Sequence, residues 1–398
     1  MNFSLKSRRR FMQLMGMGSA TVILADLFPN QRVNGYTING QDTDAALWKS
    51  QKAYKSSELK AIDQTVAEYM QNYDVPGLSF AIAKDELLVL SRSYGFADKS
   101  TGEKVTPRHR FRIASVSKPI TAIAIMKLVE LGQLQLSDRI FGEGGILSTT
   151  YGTTPYNTNI ENITVEHLLT HLGGGWPNDN DDPMFHNLFM NQTQLISWVL
   201  DNRPLDNVPG TTHTYSNFGF CLLGRVIERV TGQTYENYVK TNILKPSGIT
   251  DMEIGGDTLE EKKANEVTYY GQDGQNPYDM KIARMDAHGG WIAKPSDLVR
   301  LAVRVDGLNS KPDILSANAI ATMYQGSSVN PGYAKGWAIN TANNRWHTGS
   351  LRGEQALLIN TGDGFSWAVL VNTRSPKPDF GLHLDQLMWN IRSKVPNW

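Results

Sequence analysis

The placement of strand patterns most limits what this chain can fold into: they stand at both ends, with helix patterns between them. Leu78 to Ala83 and Leu87 to Tyr94 are apolar-rich runs joined through Lys84-Asp85-Glu86, which reads as a β-hairpin. Three more strand-like runs follow near the C-terminus, at Arg345 to Thr348, Gln355 to Asn360 and Trp367 to Val371. Leu59, Ile62, Val66 and Met70 recur at helical spacing before Pro76-Gly77, and Leu384, Leu387, Met388 and Ile391 do so at the other end. Between the two strand groups lie an apolar helix over Ile120 to Leu131 and a second helix through Leu222, Leu223, Val226, Ile227 and Val230, stopped by Gly232. Two distant groups of strands bury their faces most simply in one shared sheet, so the expectation is an α+β fold assembled from both ends with a helical insertion. The sheet domain takes residues 56–132 and 286–398, and the mostly helical domain 133–285.

The first thirty residues read as an address. Ser7-Arg8-Arg9-Arg10-Phe11-Met12 precedes an apolar run from Leu14 to Leu24, which is the order of an export signal, and the paired arginines resemble the twin-arginine type. The run is too short for a membrane span, Asp26 ends it, and Ala25 marks the expected cleavage edge. Residues 31–55 are weakly patterned and read as a linker. The protein is therefore expected outside the bacterial cytoplasm, periplasmic or extracellular, with no stable membrane span once the signal is gone. Thirty-nine Lys and Arg balance 39 Asp and Glu, which removes the basic footprint of a nucleic-acid binder. The single cysteine, Cys221, excludes an internal disulfide and a thiolate metal cluster, and reads as a small buried residue.

Three short motifs carry chemistry. Ser115-Val116-Ser117-Lys118 stands just before the apolar helix, where positions i and i+3 share a face, so the Lys118 amine can reach the Ser115 hydroxyl. A desolvated lysine can take the proton that makes serine a nucleophile, and a helix N-terminus favours developing negative charge. With 26 Ser and 20 Lys, about one S-x-x-K is expected by chance. Ser57-Glu58-Leu59-Lys60 is such a match, placed on a surface-type helix. Tyr215-Ser216-Asn217 supplies a phenol that can relay a proton and an amide that can hold both lysine and substrate, and Tyr235-Glu236-Asn237 is its decoy. His347-Thr348-Gly349-Ser350 lies on a strand whose edge can pair with an extended substrate and offer an N–H to an oxyanion.

Taken in this order, the three motifs resemble those of the penicillin-recognising serine hydrolases, which include class C β-lactamases, D-Ala-D-Ala carboxypeptidases, D-aminopeptidases and β-lactamase-like esterases. The resemblance spans about residues 58 to 392 and sets both decoys aside. It implies a β-lactamase-like fold with an antiparallel sheet flanked by helices and the site beside a helical domain. It implies Ser115 as the acylated nucleophile, Lys118 as its proton acceptor and Tyr215 serving the leaving group and the deacylating water. Asn217, His347, Thr348, Gly349 and Ser350 would bind substrate, with the backbone N–H groups of Ser115 and Ser350 as oxyanion hole. No cofactor or metal is implied. The substrate would be a small molecule or peptide, with peptidoglycan as a partner; β-lactam, ester and amide remain open, as do oligomeric state and whether Lys118 or Tyr215 is the first base. A sensing or binding relative without turnover is the alternative from another class. One departure matters: β-lactamases of this branch carry lysine where His347 stands, and histidine is mostly neutral at pH 7.

Other candidates give weaker readings. His171-Leu172-Gly173-Gly174-Gly175-Trp176 is similar to a lipase oxyanion loop, but no G-x-S-x-G turn accompanies it, so it reads as a loop on the rim of the site. His167 and His171 stand i,i+4 without the glutamate of a zinc peptidase, which points to a loop-bonding role. Asn178 to Asp182 lacks the glycine and glutamate of a calcium loop and reads as a solvated segment.

Overall fold

The computed structural model describes Trp48 and residues 53–398. The export signal expected over 1–30, and nearly all of the linker expected over 31–55, lie outside the described residues. No described helix is long and apolar enough to cross a membrane.

Both strand groups meet in one sheet. From the N-terminal side come β1 (Gly77–Lys84) and β2 (Leu87–Asp98), and from the C-terminal side β9 (Arg345–Leu351), β10 (Glu354–Asn360) and β11 (Phe365–Val371). With the short edges β3 (Glu103–Lys104) and β8 (Ala338–Ile339) the order is β3-β2-β1-β11-β10-β9-β8, antiparallel throughout. Strands whose paired residues are 281 to 293 positions apart in sequence are joined at β1 and β11, where Phe80 faces Val369 and Ile82 faces Trp367. The hairpin turn at Asp85 and Glu86 puts both residues at positive φ, 49° and 63°, as the twist of a tight hairpin requires. Glu86 is held there because its buried carboxylate accepts from the backbone N–H groups of Ser310 and Lys311.

Helices cover both faces of the sheet, which is why β1, β10 and β11 are buried along nearly their whole length rather than at alternate positions. Period-two alternation then divides the side chains between two clusters. Phe80, Ile82, Leu357, Ile359, Trp367 and Val369 pack under α1 (Ser56–Asn72) and α10 (Phe380–Ser393). On the other face Ala81, Ala83, Ala356, Leu358, Ala368 and Leu370 belong to the cluster that holds α2 (Ser117–Glu130) and α8 (Pro295–Val303). Helix α2 is buried through its first ten residues and joins the sheet side to α5 (Asn217–Thr231), which ends where expected at Gly232 with φ 68°. Phe80→Ala removes a fully buried ring stacked on Tyr94. It should cost about 3–5 kcal/mol, read as a lower urea midpoint at unchanged m.

Candidate active site

The turn before α2 is built to expose one side chain. Strand β4 (Phe111–Arg112) pairs with β7 (Trp291–Ala293), and the chain then enters a 3₁₀ turn over Ala114–Val116. Ala114 takes a left-handed φ of 42° to make that turn. From His109 to Met126 every residue is buried except Ser115, which is half-exposed. A serine left accessible within a buried stretch is where a substrate can meet a hydroxyl.

Lys118 lies one turn on, fully buried, with its Nζ 3.0 Å from Ser115 Oγ, 2.6 Å from Asn217 Oδ1 and 3.1 Å from the His288 carbonyl. The rings of Tyr215 and Phe220 lie 4.8 and 5.6 Å from the nitrogen. Burial pushes the amine down to about 7, against the opposing pull of the Asp182 carboxylate. The half-buried Tyr215 phenol is raised by burial, and its hydrogen bond with the Ser115 side chain partly offsets this. Asn217 is the first residue of α5, capped by Ser216, whose hydroxyl accepts from the Gly219 N–H. That cap orients the Asn217 side chain toward Lys118.

Strand β9 closes the other side. Its side chains alternate, so Thr348 and Ser350 are exposed while His347 and Gly349 are buried. A Cβ on Gly349 would fall 2.1 Å from the Ile113 carbonyl oxygen, so only glycine lets the strand press against the turn that carries Ser115. Because β8 pairs only with Arg345 and Trp346, no described strand covers the edge of β9 from His347 onward. The sequence-derived residues Ser115, Lys118, Tyr215, Asn217, His347, Thr348, Gly349 and Ser350 thus gather from three segments of the chain around one hydroxyl.

His347 belongs to a chain of neutral hydrogen bonds that short motifs could not reveal. The Ser216 N–H donates to His171 Nδ1, so the His171 proton sits on Nε2, which lies 3.1 Å from the Tyr333 hydroxyl. At the far end His347 Nδ1 is 2.7 Å from the Thr348 carbonyl, which can only accept. His347 Nε2 is therefore free to accept from the Tyr333 O–H at 3.1 Å. Burial and the neighbouring Lys118 push His347 down to about 3 and His171 well below its ordinary range. The His171 ring also lies 4.1 Å from that of Tyr215 and supports it from behind.

Two sequence expectations need correction. All six residues from His171 to Trp176 are buried, so they do not form a rim; Trp176 packs edge-on against Phe218 at 4.9 Å and donates to the Arg203 carbonyl. Asn178 to Asp181 are exposed as a solvated loop should be, but Asp182 is 1% exposed and accepts from Asn217 Nδ2 at 2.7 Å. The one local sign of this was Asp182 before Pro183, a capping residue ahead of a proline at the first helical position. Tyr333 had no such sign. Of the decoys, Ser57 and Lys60 are both exposed on α1, while Tyr235 is buried and bonds Thr121 and Trp291.

Comparison with known proteins bears on the fold and the family. The chain is 27% identical over 340 residues to "Protein flp" of Staphylococcus aureus (strain N315), covering 81% of this chain and 61% of that protein. It thus spans about three fifths of the length of that relative. The structure of a β-lactamase/D-alanine carboxypeptidase from Pseudomonas syringae superposes with a TM-score of 0.70 at 19% identity, covering 86% of this chain and all of that one. The D-amino acid amidase of Ochrobactrum anthropi SV3, complexed with L-phenylalanine amide, superposes with a TM-score of 0.68 at 20% identity over 85% and 98% of the two chains. The sequence model described as Beta-lactamase matches residues 62–387, which takes in the strands from both ends, the helices between them and every site residue above, and this chain belongs to that family.

Proposed function

We propose that this chain is an exported serine hydrolase that forms an acyl-enzyme through Ser115 on esters and on amides of the D-amino-acid or D-alanyl-peptide kind. One observation carries the reading: Lys118 Nζ has three oxygen neighbours, and two of them, Asn217 Oδ1 and the His288 carbonyl, can only accept. A neutral lysine has two N–H bonds and one lone pair. The two carbonyl oxygens take the N–H bonds, so the lone pair is left for the Ser115 proton. Lys118 then acts as first base, because the Tyr215 phenol, raised by burial, holds its proton through neutral pH. Tyr215 instead passes a proton to the leaving group and orients the deacylating water. Thr348 and Ser350 on the open strand edge receive the substrate backbone, and the N–H groups of Ser115 and Ser350 hold the oxyanion.

The substrate range follows from His347. Both its ring nitrogens are engaged and the ring is neutral, so it offers no cation to a substrate carboxylate. The carboxylate that β-lactams and D-alanyl-D-alanine peptides share therefore finds no cation at this position, so esters and D-amino-acid amides should turn over faster than either. Export rests on the Ser7 to Leu24 pattern.

A fluorophosphonate probe should label Ser115, and S115A should lose both the label and hydrolysis of p-nitrophenyl esters, D-phenylalanine amide and a D-alanyl-D-alanine peptide. Ester hydrolysis by S115A at the parent rate overturns the assignment, and an acyl group from a penicillin that stays on Ser115 for hours without release favours a sensing protein. The pH profile of kcat/KM should rise with one proton lost at a midpoint near 7, the value of Lys118. His171, His288 and His347 are all held well below that range, so none adds a second acid limb. A flat profile from pH 5 to 9 would remove Lys118 as the base. G349A should lower acylation at least about tenfold by pushing β9 off the Ser115 turn.

A further inference from the structure

Asn217 reaches Lys118 with its carbonyl oxygen, and something has to decide that it is not the NH₂ that faces the amine. The residues behind the amide supply the answer. Asn217 Nδ2 donates to Asp182 Oδ2 at 2.7 Å and to Asn178 Oδ1 at 3.0 Å, so both of its protons point away from Lys118. The other Asp182 oxygen accepts from the Met184 N–H at 2.9 Å, which fixes the carboxylate from its own turn. A flipped amide would set a carbonyl oxygen against the Asp182 carboxylate and an NH₂ against the lysine.

We propose that Asp182 is a positioning residue: by fixing the Asn217 amide it aims the Lys118 lone pair at Ser115. This rests on Ser115 and Lys118 acting as described above. The charged and titratable groups around Lys118 are few. Asp182 is the negative one, reached through Asn217; Tyr215, His171, His288 and His347 are neutral at pH 7 and face it from the segment before α5, from the 171 loop, from the turn before β7 and from β9. Removing the Asp182 charge therefore removes the interaction that favours the ammonium.

In D182N the new side-chain oxygen is kept by the Met184 N–H, which turns its NH₂ toward Asn217 and favours the flipped amide. The NH₂ of Asn217 would then donate to the Lys118 lone pair and draw it from Ser115. Two readouts should move together. The Lys118 midpoint, followed by NMR of ¹³Cε-labelled lysine and assigned with K118R, should fall by at least about half a pH unit. The plateau rate of Ser115 phosphonylation by the fluorophosphonate probe, in which Oγ displaces fluoride from phosphorus, should fall at least about tenfold, with the acid limb moved to lower pH. A lysine midpoint and phosphonylation rate equal to the parent's overturn the proposal, and so does a rate loss with an unmoved midpoint, which marks a merely structural effect. The midpoint needs no turnover, so it still tests Asp182 if the parent proves not to acylate Ser115, an outcome that would sink the functional reading instead. Should D182N not fold, the parent decides: the Asp182 carboxyl carbon should be ionised throughout pH 6 to 9, and a protonated carboxyl there overturns the proposal.

Discussion

A lysine amine taken wholly out of water is the constraint on which the rest of the site depends. An ammonium in such a place has lost its hydration, and Lys118 has no solvent exposure at all. It also stands in the first turn of α2, where the free N–H ends of the helix disfavour positive charge. Both effects bring the amine into the range where it can give up a proton near neutral pH. The same helix end is favourable for the negative charge that would develop beside Ser115. One location thus makes the base available and the oxyanion tolerable, and α2 can provide it only because its other early residues are packed into the core.

The histidines around this amine are kept neutral, and that is a condition for the lysine to be the titrating group. A second buried cation at position 347 would push Lys118 further down and would itself have to be charged at a cost in desolvation. The chain from the Ser216 N–H through His171, Tyr333 and His347 to the Thr348 carbonyl is directional, with each donor meeting one acceptor. It leaves no proton without a partner and asks for no charge. A lysine at 347 could not accept from Tyr333, so the hydroxyl would lose the acceptor it now has. The histidine and Tyr333 therefore belong together, and the substrate preference drawn from His347 is a property of the pair.

How much of this could be read from sequence depended on whether the signal was local. The sheet was legible because its central strands are covered on both faces, which leaves unbroken apolar runs such as Phe80 to Ala83 and Ala356 to Ile359. Helix α5 was legible from its spacing and from the glycine at its end. The residues with chemistry were legible as residue types at short spacing, and family resemblance set the decoys aside for a reason now visible in burial: Ser57 and Lys60 lie in water. What failed was whatever depends on packing between segments. Four residues of Asn178 to Asp182 are exposed and the fifth is buried, and within that polar run only the proline after Asp182 marks which one turns inward. Trp176 and its glycines read as a rim because Gly-rich loops often are; here Phe218 and the Arg203 carbonyl hold the tryptophan inside. Tyr333 is 118 residues from Tyr215 in sequence and meets the site through two histidines and an edge-on contact with the Tyr215 ring.

The open edge of β9 links the fold to the chemistry more tightly than the motif spacing does. An uncovered strand edge is a hazard, since it can pair with any extended chain. In this fold the exposure is confined: β8 covers the strand at Arg345 and Trp346, and Leu351 already lies buried before the turn into β10. What remains open is the short stretch beside Ser115. Gly349 holds that stretch against the Ile113 carbonyl, so the distance from the edge to the hydroxyl is set by backbone packing rather than by a flexible side chain. An extended substrate that pairs with this edge would be placed by the same contact that places the nucleophile. Any residue larger than glycine would move both partners apart at once, which makes position 349 a determinant of reactivity although it has no side chain to react.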